Sequence, residues 1–128
     1  MFGKKFIRIE RVSVTEGQIL VRFSCSRRIR KYFSSDTVSI QYDVALDDVS
    51  ESILVIPAVS VLLPVAWATG ANLYVEELDK NYLKSLEKIK VVMKRWYPTF
   101  SFDTKIFVQK KITNEFSNKE HGLLFSGG

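Results

Sequence analysis

The most hydrophobic stretch of the chain, Ile53–Ala68, limits what this sequence can fold into. Ser60 is its only polar residue among sixteen. A membrane-spanning helix needs about 20 consecutive apolar residues, and two prolines interrupt this stretch. We therefore predict a buried core helix. Pro57 fits the first turn, where a missing N–H has no consequence, whereas Pro64 is expected to kink or divide the helix, and Gly70 to end it in a left-handed conformation.

Alternating apolar residues before this helix predict three strands. Residues 6–14, 19–25 and 38–44 each alternate apolar and polar side chains, which is typical of strands with one solvated face. In the first of them the apolar positions change phase near Glu10, and this change predicts a β-bulge. Gly17 suits the tight turn of a hairpin between the first two strands. Together the three strands predict an antiparallel meander.

The second half of the chain alternates between helix and strand. Residues 73–75 and 106–112 have the composition of strands, and Asp79 is placed to cap an amphipathic helix that Pro98 ends. Five residues at spacings of three and four predict the core stripe of this helix: Tyr82, Leu86, Ile89, Met93 and Trp96. The pattern predicts an α/β (or α+β) fold, with antiparallel N-terminal strands in a mixed sheet and two main helices packed on it.

Charge is distributed unevenly along the chain. The net charge of +5 combines +7 in residues 1–31, −8 in residues 32–79 and +6 in residues 80–128. Basic ends that fold back together would form one positive face, whereas an acidic middle between them would neutralise both. A single cysteine, Cys25, excludes an internal disulfide and a cysteine-based metal site. We expect Cys25 to be a core residue. We also expect the protein to be cytoplasmic, because no signal peptide precedes the first strand.

A basic run between the second and third strands is the main candidate for binding. It contains four cations: Arg27, Arg28, Arg30 and Lys31. Tyr32 and Phe33 follow at once, so the run can hold phosphates while an aromatic ring stacks on a base. A second set lies on one face of the amphipathic helix and would extend this surface: Lys80, Lys84, Lys88 and Arg95. The alternative is that both sets are ordinary solvated surfaces.

Other polar residues predict neither a metal site nor catalysis. Four acids crowd one loop without the ligand order or the glycine of a calcium loop: Asp43, Asp47, Asp48 and Glu51. His121 has no histidine partner for a metal or a catalytic triad. Trp67 and Trp96 lie on apolar faces and are predicted to be core residues. We expect this chain by itself not to be an enzyme, because the sequence offers no pair of nucleophile and base.

The last residues have chemical content of their own. Gly122–Phe125 is predicted to be a short strand and leads into Ser126, Gly127 and Gly128. Two glycines let a backbone approach phosphate closely, and their N–H groups can form an anion nest. This segment resembles the start of the S-G-G-x-D-S loop of the PP-loop ATP pyrophosphatase superfamily. The resemblance implies that these three residues contribute to holding the pyrophosphate of ATP, with Mg, in a parent enzyme that adenylates its substrate. The alternative is a flexible tail or a cloning remnant.

The resemblance also implies a division of the chain. Residues 1–113 would be an accessory domain, 114–121 a linker, and 122–128 the first strand and partial phosphate loop of a following, truncated PP-loop domain. Residues 1–121 are similar to the N-terminal regions of uncharacterised bacterial PP-loop proteins, on the strength of four segments: Ile56-Pro57, Leu63–Trp67, Asn72–Val75 and Leu78-Asp79.

Three functions are therefore expected for this chain. The first is a non-catalytic N-terminal accessory domain of a PP-loop enzyme of unknown substrate, with the following catalytic domain as its partner and no cofactor of its own. The second is a module that binds nucleic acid of the tRNA kind. The third is a protein-interaction or self-association domain that uses Ile53–Ala68.

Overall fold

The computed structural model describes residues 5–42 and 49–114. Its elements are β1 (Phe6–Thr15), β2 (Gln18–Cys25), a 3₁₀-helix (Arg27–Tyr32), β3 (Thr37–Gln41), α1 (Glu51–Leu54), α2 (Ile56–Thr69), β4 (Asn72–Asp79), α3 (Lys80–Trp96) and β5 (Ile106–Ile112). The strands form one mixed sheet in the order β3-β2-β1-β4-β5. β2 is antiparallel to β1 and to β3, whereas β4 is parallel to β1 and to β5. The predicted fold class, a mixed sheet with helices packed on it, is confirmed.

The first hairpin contains the predicted bulge. Ile9 pairs with Phe23 but Arg11 pairs with Arg22, so the register shifts at the residue between them. The shift brings the apolar residues on both sides of the bulge to one face of β1. Gly17 has a φ of 75° in the two-residue turn, and the preceding residue also has a positive φ. Two positive φ values are the requirement of the type I′ turns that join twisted strands.

The hydrophobic stretch forms two consecutive helices, and they separate at Val55. Pro57 lies in the first turn of α2 as predicted, and its missing N–H explains why the helix begins anew there. Pro64 lies inside α2 without dividing it. The carbonyl that Pro64 leaves without its helical donor belongs to Ser60, which is an exposed residue. Gly70 ends α2 with a φ of 77°, which confirms the predicted left-handed cap.

The core lies on one face of the sheet. Both crossover connections step in the same direction across the sheet, from β3 to β4 through α1 and α2 and from β4 to β5 through α3, and right-handed crossovers of this kind put their helices on one face. The Tyr82 hydroxyl lies 2.7 Å from the Ser60 hydroxyl and joins α3 to α2. The burial of the strand residues also shows a core on one face: Ile7 and Leu73 are buried, whereas Arg8, which follows Ile7, is exposed. Cys25 is buried in this core, as predicted.

Helix α3 begins as predicted, and Met93 in its second half packs against the core, but Ile89 and Trp96 of the predicted stripe are exposed. Asp79 caps it, because a carboxylate oxygen accepts a hydrogen bond of 2.8 Å from the Tyr82 backbone N–H. Leu86 is buried, yet Trp96 is 69% exposed, so its predicted place in the core is wrong. Phe102, from the loop after the helix, packs instead against the buried Trp67 at a centroid distance of 5.7 Å. The loop thus covers this end of the core and leaves Trp96 outside.

A buried polar network holds the end of the described chain. The Asn114 side-chain amide donates hydrogen bonds to the Ser52 hydroxyl at 3.0 Å and to an Asp79 carboxylate oxygen at 2.8 Å. Ser52 is fully buried and Asp79 is 5% exposed. These bonds tie Asn114, the second residue after β5, to the starts of α1 and α3. The rest of the predicted linker, residues 115–121, and the predicted strand and loop at 122–128 lie outside the described residues.

Candidate nucleic-acid interface

The basic run lies on the 3₁₀-helix, and one apolar residue anchors it. Ile29 is 1% exposed and packs into the core. The start of the helix is tied to the start of β1 by two hydrogen bonds, one from the Ser26 N–H to the Phe6 carbonyl and one from the Phe6 N–H to the Ser26 hydroxyl. With Ile29 inside, the four cations of the run are all exposed.

Most of the run borders one concave surface. An open concavity of about 590 Å³ is lined by Lys5, Arg27, Arg28, Ile29, Lys31, Tyr32, Ala68 and Thr69. We call this surface the basic concavity. Lys5 belongs to it because the two hydrogen bonds between Phe6 and Ser26 hold the beginning of β1 beside the 3₁₀-helix. The sequence analysis missed Lys5, Ala68 and Thr69, since they are far from the basic run along the chain. Arg30 is exposed but does not line the concavity.

The cations of the basic concavity have no acidic partner in the described part of the chain. The ion pair that the described residues form joins two residues outside the concavity, Arg22 and Asp36, at 3.6 Å. Lys31 contacts an aromatic ring instead, with its ammonium nitrogen 5.4 Å from the centroid of Tyr32. The nearby C-terminal end of α2 carries about half a negative charge. Four cations exceed that partial charge, so stabilising a helix end does not account for the basic concavity.

The second predicted basic set lies elsewhere. Lys80, Lys84, Lys88 and Arg95 are all exposed on α3, and none of them lines the basic concavity. The structure therefore confirms that these four residues are exposed to solvent, but they do not extend the basic concavity. They lie among exposed apolar residues of the same helix: Ile89, Val91, Val92 and Trp96.

Acidic residues of the middle segment collect at another place. A narrow crevice between β1 and β4 is lined by three of them, Glu51, Glu76 and Glu77, together with Glu10 and Arg11 of β1. Burial raises the pKa of Glu51, and the charges of Glu77 and Glu76 raise it further. Asp43, Asp47 and Asp48 lie outside the described residues. Across residues 5–42 and 49–114 no group of three acids, histidines or cysteines is arranged to hold a metal ion, and none of the crevice acids faces the basic concavity.

Ser126, Gly127, Gly128 and His121 lie outside the described residues, so their predicted roles stay predictions. Among the helices that the structure describes, none is long and apolar enough to cross a membrane.

A comparison of the chain with protein-family models, with curated proteins and with solved structures finds no match. The function is therefore inferred from the chemistry of the residues themselves.

Proposed function

We propose that this chain is a non-catalytic, cytoplasmic accessory domain of a PP-loop ATP-dependent enzyme, and that it holds a nucleic acid for that enzyme. The observation that carries the proposal is the basic concavity. It brings Lys5, Arg27, Arg28 and Lys31 together without an acidic partner among the described residues. Tyr32, at 56% exposure, offers a ring beside them.

The shape and the charge of the concavity favour a polyanion over a single phosphate. Its cations are spread over an open surface rather than converging on one buried point. Exposed lysine and arginine side chains of this kind neutralise successive backbone phosphates and release counterions. Four such contacts to a single strand correspond to a roughly 50-fold loss of affinity between 50 and 200 mM salt. The exposed ring adds stacking on a base.

The assignment to a PP-loop parent depends on the C-terminal residues. The resemblance of Leu123–Gly128 to the start of the loop supports it, and Ser126, Gly127 and Gly128 would then contribute to the ATP site, with Mg, of the following domain. The coding sequence after Gly128 tests this directly, because the next residues should be x-Asp-Ser. Any other continuation, or a stop codon, would refute the parentage and leave the proposal for the basic concavity standing.

Binding measurements test the nucleic-acid function. Fluorescence anisotropy with labelled RNA at low salt should show binding that weakens steeply as salt rises. The triple variant Arg27→Ala/Arg28→Ala/Lys31→Ala should lose affinity by at least about tenfold. Its matched control, Lys80→Ala/Lys84→Ala/Lys88→Ala, removes the same charge from α3 and should change affinity by less than about threefold. Equal losses would mean that net charge alone attracts RNA, and no binding at low salt would refute the function.

A second candidate function, protein interaction, is favoured by α3 rather than by the predicted segment. Half of the sixteen residues of Ile53–Ala68 are buried, including Leu62 and Leu63, and three of the sixteen are exposed. On α3, by contrast, Ile89, Val92 and Trp96 are exposed at spacings of three and four, which places them along one flank of the helix. Lysines crowd this helix, so a second copy would be repelled, and the following domain of the same polypeptide is the better partner.

Quenching experiments test this second candidate. In a longer chain that includes the following domain, acrylamide should quench Trp96 less than it does in residues 1–128. Equal quenching in both chains would show that α3 is not the interface between them.

A further inference from the structure

The helix-free face of the sheet carries a row of stacked side chains across three neighbouring strands. Arg8 of β1 is in register with Tyr74 of β4, and Tyr74 with Phe107 of β5. The guanidinium carbon of Arg8 lies 4.8 Å from the centroid of the Tyr74 ring. The rings of Tyr74 and Phe107 are stacked, with centroids 5.0 Å apart and planes inclined by 15°. We call these three residues the stacked row.

The stacked row is open at one end. Arg8 covers one side of the Tyr74 ring and Phe107 the other. Phe107 is 45% exposed, and in residues 5–42 and 49–114 it contacts no ring other than Tyr74. Its strand, β5, is the last in the sheet order of the described strands. An exposed phenyl at the end of a stack is a site where one more planar group can continue the stack.

The surroundings of Phe107 are cationic and polar. Lys105, which immediately precedes β5, and Gln109, within β5, lie two residues to either side of it, and both are exposed. Residues at this spacing project from the same face of a sheet. A planar group on Phe107 would thus have an ammonium group and an amide beside it, which suits a base attached to a phosphate backbone.

The stacked row is also close to the basic concavity. It crosses the sheet near the start of β1, where Phe6 is hydrogen-bonded to Ser26 at the beginning of the 3₁₀-helix. Lys5 precedes Arg8 by three residues, about 10 Å along a strand. From Arg8 to Phe107 the row spans two strand spacings, again about 10 Å. Because successive residues of a strand face opposite sides of the sheet, a chain of nucleotides held at the basic concavity would pass around the end of the sheet where β1 begins to reach Phe107.

We propose that Phe107 is a stacking site for a base of a single-stranded nucleic acid. The inference rests on the proposed function, because the phosphates of the same strand would be held by the basic concavity. Base stacking on an exposed ring tolerates any sequence and needs an unpaired base, as on the aromatic sheet surfaces of RNA-binding domains. Cross-strand packing explains why Tyr74 and Phe107 touch each other. It does not explain why the outer side of Phe107 is left open beside a lysine.

Two oligonucleotides separate this inference from the proposed function. One is a labelled single strand with bases, and the other is an abasic strand of equal length with the same phosphates. The wild-type chain should bind the strand with bases about tenfold more tightly. Phe107→Leu keeps an apolar side chain without an aromatic ring and should reduce this preference to what Tyr32 alone provides, whereas Phe107→Trp should keep it in full. The triple variant at Arg27, Arg28 and Lys31 should weaken the binding of both strands by the same factor.

The outcomes are distinct. Equal wild-type affinities for the two strands would overturn the stacking site, assign Phe107 to packing against a protein segment, and leave phosphate binding in place. A preference for bases that is undiminished in Phe107→Leu would assign the stacking to another ring, Tyr32 first, and would also overturn it. Binding of neither strand at low salt would overturn both proposals. The wild-type comparison needs no variant, so it stands even if Phe107→Leu fails to fold.

Discussion

The hydrogen bonds of Asn114 allow a quantitative prediction of stability. Asn114→Ala removes one bond to the buried hydroxyl of Ser52 and one to the carboxylate of Asp79. A neutral hydrogen bond contributes about 0.5–1.5 kcal/mol and one to a charged group about 1.5–3 kcal/mol. Water that enters the vacated space offsets part of the sum, so we expect a loss of about 2–4 kcal/mol. For a domain of this size the melting temperature should fall by roughly 10 °C.

Urea unfolding followed by circular dichroism measures this loss, and α3 offers a matched control. Asn81 is exposed, and its side chain makes no hydrogen bond in the described part of the chain, so Asn81→Ala should change the free energy of unfolding by less than about 0.5 kcal/mol. If Asn114→Ala is as mild as the control, the network does not hold the end of β5 and our reasoning is refuted. Asn114→Asp should be worse than alanine at neutral pH, because it places a second carboxylate against Asp79. That extra loss should shrink at acid pH, where one carboxyl is protonated.

Three further predictions test other parts of the structure. Trp96→Phe should remove most of the acrylamide-quenchable emission and Trp67→Phe should not, since Trp96 is 69% exposed and Trp67 only 3%; equal quenching of the two variants would place Trp96 in the core after all. Gly17→Ala should destabilise by about 1–2 kcal/mol in urea unfolding, because φ is +75° and the added carbon would lie 2.8 Å from the Tyr42 carbonyl oxygen; an unchanged midpoint would contradict this turn geometry. Glu51→Gln should stabilise the fold at pH 7 and lose that advantage at acid pH, because a raised pKa means that the folded state favours the protonated carboxyl of Glu51; a pH-independent difference in melting temperature would argue against it.

Local features of the fold could be predicted from the sequence because each depends on a few neighbouring residues. The change of phase near Glu10 predicted the bulge, Asp79 predicted the cap of α3, and Gly70 predicted the end of α2; the structure confirms all three. The mixed sheet followed from the order of these local elements. Backbone preference and hydrogen bonding within one turn fix such features, whatever the rest of the chain does.

The candidate site was only half visible in the sequence. Arg27, Arg28 and Lys31 adjoin one another along the chain, so their clustering was evident. Lys5 joins them only because β1 begins beside the 3₁₀-helix, and no sequence pattern signals that contact.

The sequence by itself determined the strands, the two long helices and the basic run of this protein, because periodicity and charge are properties of short segments. Only the tertiary structure decided which aromatic residues lie in the core: Phe102 closes the core next to Trp67, whereas Trp96 stays in solvent. It also brought Arg8, Tyr74 and Phe107 together from three strands. The physical reason is that burial and stacking depend on residues far apart in sequence, whose positions are set by the order and register of the strands.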